Sequence, residues 1–99
     1  SLGDENQLKR AHAMELQGRW QDAITELETL LKYYPDDILA DDAIFKLGDI
    51  YENHLMNGTK AAEYYRLILF EHKGSLFTEE SRKRFQKLRN ENPIPDPVN

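Results

Sequence analysis

The sequence predicts an all-α fold of about five helices that pair as antiparallel hairpins. Apolar and small residues recur at three- and four-residue steps along almost the whole chain, which is typical of helices with one buried face. Residues that end helices interrupt this pattern at Gly18, at Pro35 and at the pair Asn57-Gly58. The chain also resembles itself when it is shifted by 37 or 38 residues, so the hairpin is a repeated unit.

Each predicted helix is bounded by such signals. Asp4 and Thr78 are the expected N-caps of the first and last helices, because their side-chain oxygens can accept from free backbone N–H groups. Residues 92–99 contain three prolines and are predicted to be an extended or disordered tail. The five predicted helices run from Asp4 to Gln17, Trp20 to Tyr34, Asp37 or Ile38 to Leu55, Thr59 to His72 and Thr78 to Asn90.

Helical spacing also predicts which side chains are buried. Two adjacent tyrosines on one helix cannot both point inward, so Tyr34 and Tyr64 are expected to be exposed. The predicted buried stripes are Ala23, Ile24, Leu27, Leu30 and Leu31; then Ala40, Ala43, Ile44, Leu47, Gly48, Ile50 and Tyr51; then Ala61, Ala62, Tyr65, Ile68 and Leu69.

The internal repeat organises the chain. A shift of 38 residues places Leu31 over Leu69 and Leu47 over Phe85, and a shift of 37 places Ala11 over Gly48. A period in the high thirties with two helices per unit predicts a helical solenoid. We expect one domain over residues 1–91, made of two units at about 4–37 and 38–75 and a closing helix at 78–91.

Residues at fixed places in each unit resemble those of tetratricopeptide repeats. In this family small residues let neighbouring helices approach closely, so Ala11 or Gly48 is expected to meet Ala23 or Ala61. The matching residues are Ala11, Gly18, Ala23, Leu27, Leu30 and Pro35 in the first unit, and Leu47, Gly48, Tyr51, Ala61, Tyr65 and Ile68 in the second.

The stretch from Tyr33 to Tyr51 is similar to a narrower group. It looks like the longer tetratricopeptide units of bacterial envelope proteins, such as outer-membrane assembly lipoproteins and Tol-Pal coordinators, and like the C-terminal part of large Bacteroidetes repeat proteins. This resemblance favours a periplasmic or cell-envelope location over the cytoplasm. The first residue is Ser1 instead of Met, which suggests a fragment of a longer protein.

The sequence lacks the residue patterns of catalytic and cofactor sites. His12, His54 and His72 lie on three different predicted helices, and none belongs to a metal-binding pair on one helix face. There is no glycine-rich phosphate loop, no nucleophile motif and no cysteine. We therefore predict a protein that is not an enzyme and has no metal and no cofactor.

The charge pattern limits the partners. A net charge of −5 argues against nucleic acid, and no apolar run is long enough to span a membrane. The last predicted helix carries Arg82, Lys83, Arg84, Lys87 and Arg89, which we interpret as a solvating cap at the end of the array. The expected partner is thus a protein or a peptide.

The resemblance also implies where that partner binds. In tetratricopeptide repeats the first helix of each unit lines a concave groove that accepts extended peptides or partner helices. This groove lacks the residues of the carboxylate-clamp subclass, so binding of chaperone C-termini is not expected, and its apolar and acidic lining should prefer a hydrophobic segment with basic flanks. The implied groove residues are Leu8, His12, Glu15, Leu16, Phe45, Asp49, Glu52 and Asn53, with Lys83 and Lys87 from the closing helix.

A second interpretation stays open at this point. The chain could be a structural C-terminal segment of a longer solenoid that stacks on neighbouring repeats or self-associates. Exposed apolar residues on the first helix would favour it, because an interior unit needs a partner there.

Overall fold

The computed structural model describes residues 2–91, and in this range the chain forms five α-helices and no β-strand. The predicted all-α fold is confirmed. The tail predicted at 92–99 lies outside the described residues. The helices are α1 (Leu2–Leu16), α2 (Trp20–Tyr33), α3 (Ile38–Asn53), α4 (Gly58–Glu71) and α5 (Thr78–Glu91).

The helix ends follow from local chemistry. Asp37 caps α3 by accepting from the Leu39 N–H at 2.9 Å, and Asn57 caps α4 by accepting from the Lys60 N–H at 3.0 Å. Gly18 has a φ of +73°, a conformation that glycine adopts without strain, and it ends the turn between α1 and α2.

Two predicted N-caps are wrong. Asp4 lies inside the first turn of α1, because this helix already begins at Leu2. Thr78 is the first residue of α5, and its hydroxyl donates to the carbonyl of Ser75 at 2.8 Å instead of accepting from the helix. The turn before α5 is held by the Ser75 hydroxyl, which accepts from the Phe77 N–H at 3.0 Å.

Each helix packs against the next one along the chain, and α1 also contacts α3. The predicted buried residues are largely correct; for example, Ala23, Leu27 and Leu30 are fully buried. One cluster joins α1, α2 and α3, and a second joins Ala61 and Tyr65 of α4 to Leu88 of α5. The molecule is therefore a row of packed hairpins without a single central axis.

Helix α3 packs tightly against α4 at Gly48. A Cβ atom added to Gly48 would lie 2.6 Å from the ring of Tyr65, which is fully buried. The nearest neighbour of Gly48 on α4 is thus Tyr65, in addition to the small residue Ala61 that was expected to approach it. A missing side chain on α3 makes room for a large aromatic ring on α4.

The expectation that Tyr34 and Tyr64 are exposed is wrong for both, because each is half-buried against the first cluster. Tyr65 is buried while Tyr64 is half-buried and stacks on Tyr51, with ring centroids 5.8 Å apart. In the other pair Tyr33 is exposed and Tyr34 is half-buried, the reverse of the prediction. The reason is that α2 ends at Tyr33, so Tyr34 leaves the helical path and packs against the first cluster.

Candidate functional site

Ion pairs connect the three odd-numbered helices along one side of the molecule. The Lys46 ammonium of α3 lies 3.1 Å from a carboxylate oxygen of Glu15 on α1. The Arg84 guanidinium of α5 lies 3.1 Å from Asp49 and 3.5 Å from Glu52, both on α3. We call the side formed by α1, α3 and α5 the odd-helix face.

These bridges occupy equivalent places in the two units. Glu52 follows Glu15 by 37 residues, and Arg84 follows Lys46 by 38 residues, which are the two shifts of the internal repeat. An acidic residue on one odd-numbered helix therefore binds a basic residue on the next, twice. Because the pairs are partly buried, their geometry helps to fix the spacing of the helices.

Arg84 lies at the centre of the more extensive of the two bridges. Its Nη1 donates to the Tyr65 hydroxyl at 3.2 Å and to Asp49, and its Nε donates to Glu80 at 3.1 Å. The Tyr65 hydroxyl in turn donates to Glu52 at 2.8 Å. The guanidinium also lies over the ring of Phe45, 5.1 Å from its centroid.

The network perturbs both of its central groups. Burial raises the pKa of Tyr65, the hydrogen bond from Arg84 lowers it, and the bond to Glu52 raises it again, so the hydroxyl stays protonated. Burial alone would lower the pKa of Arg84, but its hydrogen bonds to Tyr65, Glu80 and Asp49 outweigh burial and raise the pKa above its ordinary value. Tyr65 therefore takes part in the network as a neutral hydroxyl and Arg84 as a cation.

Two open clefts flank this network. The first has a volume of about 340 Å³, and the second, of about 300 Å³, lies towards the α3–α4 loop. Glu52, Asn53 and Lys87 line both of them, so they form one continuous polar surface between α3 and α5. The remaining lining residues are Glu80, Lys83 and Arg84 in the first, and Met56, Gly58, Leu88 and Glu91 in the second.

Comparison with known proteins bears on the first hairpin. A family model described as tetratricopeptide repeat matches residues 5–37. This match supports a tetratricopeptide repeat protein. Such repeats generally mediate protein–protein interaction and are generally non-catalytic. No curated protein and no solved structure shows significant similarity to this chain.

The ten residues implied for the groove are divided by the structure into two sets. On α1, Leu8 packs against the core and Glu15 is paired with Lys46, while His12 and Leu16 are exposed, Leu16 by 76%. The other six, Phe45, Asp49, Glu52, Asn53, Lys83 and Lys87, lie on α3 and α5 in or beside the Arg84 network and its two clefts.

The chemistry of this lining differs from the expectation. The carboxylates of Asp49 and Glu52 were expected to attract basic flanks of a ligand, but Arg84 and Lys87 already bind them. Phe45 is stacked on Phe77, with ring centroids 4.6 Å apart, and lies beneath the guanidinium. The exposed side chain of Lys83 is left for a ligand, as is the amide oxygen of Asn53, whose amide nitrogen already donates to Asp49 at 2.7 Å.

Sequence reasoning missed the residues that join the helices. Arg84 was assigned to a solvating cap, and Lys46 and Tyr65 were not assigned to the site. The repeat contained the necessary signal, because the two shifts that align Leu47 with Phe85 and Ala11 with Gly48 also align the two acid–base pairs.

The same structure limits other chemistry. Among residues 2–91, no group of three or more histidines and carboxylates is placed to hold a metal ion. In that part of the chain no helix combines the length and the apolar character needed to cross a membrane. Trp20 stacks on His54 with ring centroids 3.8 Å apart, so it packs over the end of α3.

Proposed function

We propose that this protein is an interaction module that binds an extended peptide or a partner helix along the odd-helix face. The observation that carries this proposal is the pair of continuous clefts between α3 and α5, bordered by the exposed side chains of Asn53, Lys83 and Lys87. Open polar clefts on a rigid row of hairpins suit a long flexible ligand better than a small molecule, which needs an enclosed apolar pocket.

The internal ion pairs define the ligand that fits. Because Asp49 and Glu52 are neutralised by Arg84 and Lys87, the face offers few unpaired charges, and Lys83 makes no ion pair with the described residues. A ligand would gain most from a donor to the Asn53 amide oxygen, since the amide nitrogen already donates to Asp49, and from an acidic group near Lys83. Leu16 and His12 at the other end of the face would contact a ligand long enough to reach α1.

The second interpretation, stacking within a longer solenoid, has less support. Gly48 and Tyr51 of α3 contact α4, and the equivalent places on α5 hold Gln86 and Arg89, which are exposed. At the other end, the place of Leu47 is held by Arg10, which pairs with Glu26. Polar side chains on both outer faces disfavour a further packed hairpin there, although the exposed Leu16 on α1 would favour one.

The narrower resemblance to bacterial envelope proteins, and with it a periplasmic location, remains part of the proposal. Its basis is the stretch from Tyr33 to Tyr51. The described geometry is equally suited to either side of a membrane.

The experiment uses dodecapeptides selected from a random phage-displayed library on the immobilised protein. Selected peptides are titrated by fluorescence anisotropy against Asn53→Ala, Lys83→Glu and the control Lys73→Glu, whose side chain is exposed on the α4–α5 loop. We expect the first two changes to weaken binding at least fivefold and the control to leave it unchanged. Equal affinities for all four proteins would exclude the odd-helix face.

A further inference from the structure

A separate cleft lies away from the odd-helix clefts, between the start of α3 and the loop that precedes α5. Its volume is about 220 Å³. Ile38 and Leu76 stand at its walls and are 80% and 97% exposed. The other lining residues are Leu39, Asp41, Asp42, Gly74, Ser75 and Phe77. We call this the Ile38–Leu76 cleft.

Its apolar residues are a repeated feature. A shift of 38 residues aligns Ile38 with Leu76 and Leu39 with Phe77, so two consecutive apolar side chains stand at the start of α3 and again just before α5. Burying such side chains is favourable, and here two of the most exposed ones share one cleft. A contiguous exposed apolar surface rimmed by polar groups is typical of an interaction site.

The walls are held in place without a ligand. The His72 Nδ1 lies 2.7 Å from Asp41, which ties the end of α4 to α3. Phe77 stacks on Phe45, and the Ser75 hydroxyl accepts from the Phe77 N–H. Because these contacts fix the loop, a ligand would lose little affinity to ordering the site.

The rim is acidic. Asp41 and Asp42 line the cleft, and Asp36 and Asp37 lie just before Ile38 in the sequence, where Asp37 caps α3. Burial raises the pKa of Asp42, and the charge of Asp41 raises it further. A cation brought to this rim would relieve the repulsion between those two carboxylates.

We propose that the Ile38–Leu76 cleft is a second docking site, for an extended partner segment that carries aliphatic side chains between lysines or arginines. The charge of the rim selects basic flanks, and the exposed apolar walls select the aliphatic centre. The volume is below that of most small-molecule pockets and suits protruding side chains. Residues 92–99 of the chain itself contain no Lys or Arg, so they lack the required complement.

The test is a titration followed by backbone amide NMR shifts. The probe is the peptide acetyl-Arg-Lys-Leu-Ile-Lys-Arg-amide, and its controls carry Ser-Ser at the centre or Glu and Asp at the flanks. We expect shifts centred on residues 38–42 and 74–77, binding that weakens with added salt, and no comparable binding of either control peptide. Shifts confined to Asn53 and Lys87, or none at millimolar peptide, would overturn the proposal.

Variants then separate this site from the odd-helix face. Leu76→Ser and Asp42→Asn should each reduce affinity for the basic peptide by roughly five- to tenfold, an effect of the size expected for one lost anchor or one lost charge contact. Phe70→Ser removes another exposed apolar side chain, and Lys83→Glu alters the odd-helix face; both should leave this affinity unchanged. Light scattering that shows a dimer abolished by Leu76→Ser would assign the cleft to a second copy and sink the proposal.

Discussion

Helices α3 and α5 hold equivalent places in the repeat, yet they differ in how many of their sides are packed against other helices. Both keep apolar residues towards the preceding hairpin, where Leu47 and Ile50 of α3 correspond to Phe85 and Leu88 of α5. On the opposite side α3 presents Gly48 to α4, whereas α5 presents the exposed Gln86. The comparison teaches that one face of the unit is retained for stacking while the other changes to polar where stacking stops.

The largest loss of stability is expected from truncating Leu47, which is more buried than Phe85, its equivalent on α5. Leu47→Ala should lower the free energy of unfolding by about 3 kcal/mol, because the fully buried side chain leaves a cavity. Phe85→Ala should cost about half as much, since Phe85 is only partly buried. Urea denaturation followed by circular dichroism measures both; equal losses would contradict the difference between the helices.

The Arg84 network gives the next comparison. Arg84→Met should destabilise the fold by about 2 kcal/mol, because Glu52 and the Tyr65 hydroxyl lose a charged partner while they remain partly buried. Lys46→Met removes the equivalent bridge to Glu15, a single contact, and should cost less than about 1 kcal/mol. Were the two losses alike, the additional contacts of Arg84 would have no energetic role.

Placing alanine at the equivalent positions 48 and 86 sharpens the contrast between the side of the repeat that a neighbouring helix covers and the side that solvent covers. Gly48→Ala should lower stability by about 1–2 kcal/mol despite the better helix propensity of alanine, because its Cβ would overlap the Tyr65 ring. Gln86→Ala on α5 meets solvent and should stay within about 0.5 kcal/mol of the parent. A neutral Gly48→Ala would mean that α4 can move away from α3.

The smallest expected effect is a gain in stability. The Ser81 hydroxyl is buried and has no hydrogen-bond partner among the described residues, and the equivalent residue on α3 is Ala43. Ser81→Ala should therefore stabilise the protein by about 1 kcal/mol. The reciprocal change, Ala43→Ser, should destabilise it by a similar amount. Thermal denaturation of both variants checks the pair, and a Ser81→Ala protein of lower Tm would contradict it.

Local sequence signals predicted most of the fold. Gly18, Pro35 and Asn57-Gly58 marked three of the four breaks between the described helices, because their backbone preferences act regardless of tertiary context. The same reasoning failed for Tyr33 and Tyr34, where an error of one residue at the end of α2 exchanges the inward and outward positions.

The candidate site was less predictable, since side chains more than 30 residues apart have to meet. Nothing in the local sequence pattern distinguishes Arg84 from Lys83. Arg84 is nevertheless partly buried and forms ion pairs with three carboxylates, whereas Lys83 is exposed. That distinction depends on the offset between α3 and α5, which is set by packing of Leu88 and Phe85. The repeat shifts predict which pairs are equivalent but not which pairs touch.

The stack of Trp20 on His54 gives the molecule a built-in optical reporter. Trp20 is the sole tryptophan of the chain, so intrinsic emission senses the junction between the first two hairpins. Detachment of α5 would leave that emission unchanged while lowering far-ultraviolet ellipticity. Comparing the two signals during denaturation would thus resolve whether the row of hairpins melts from one end or all at once.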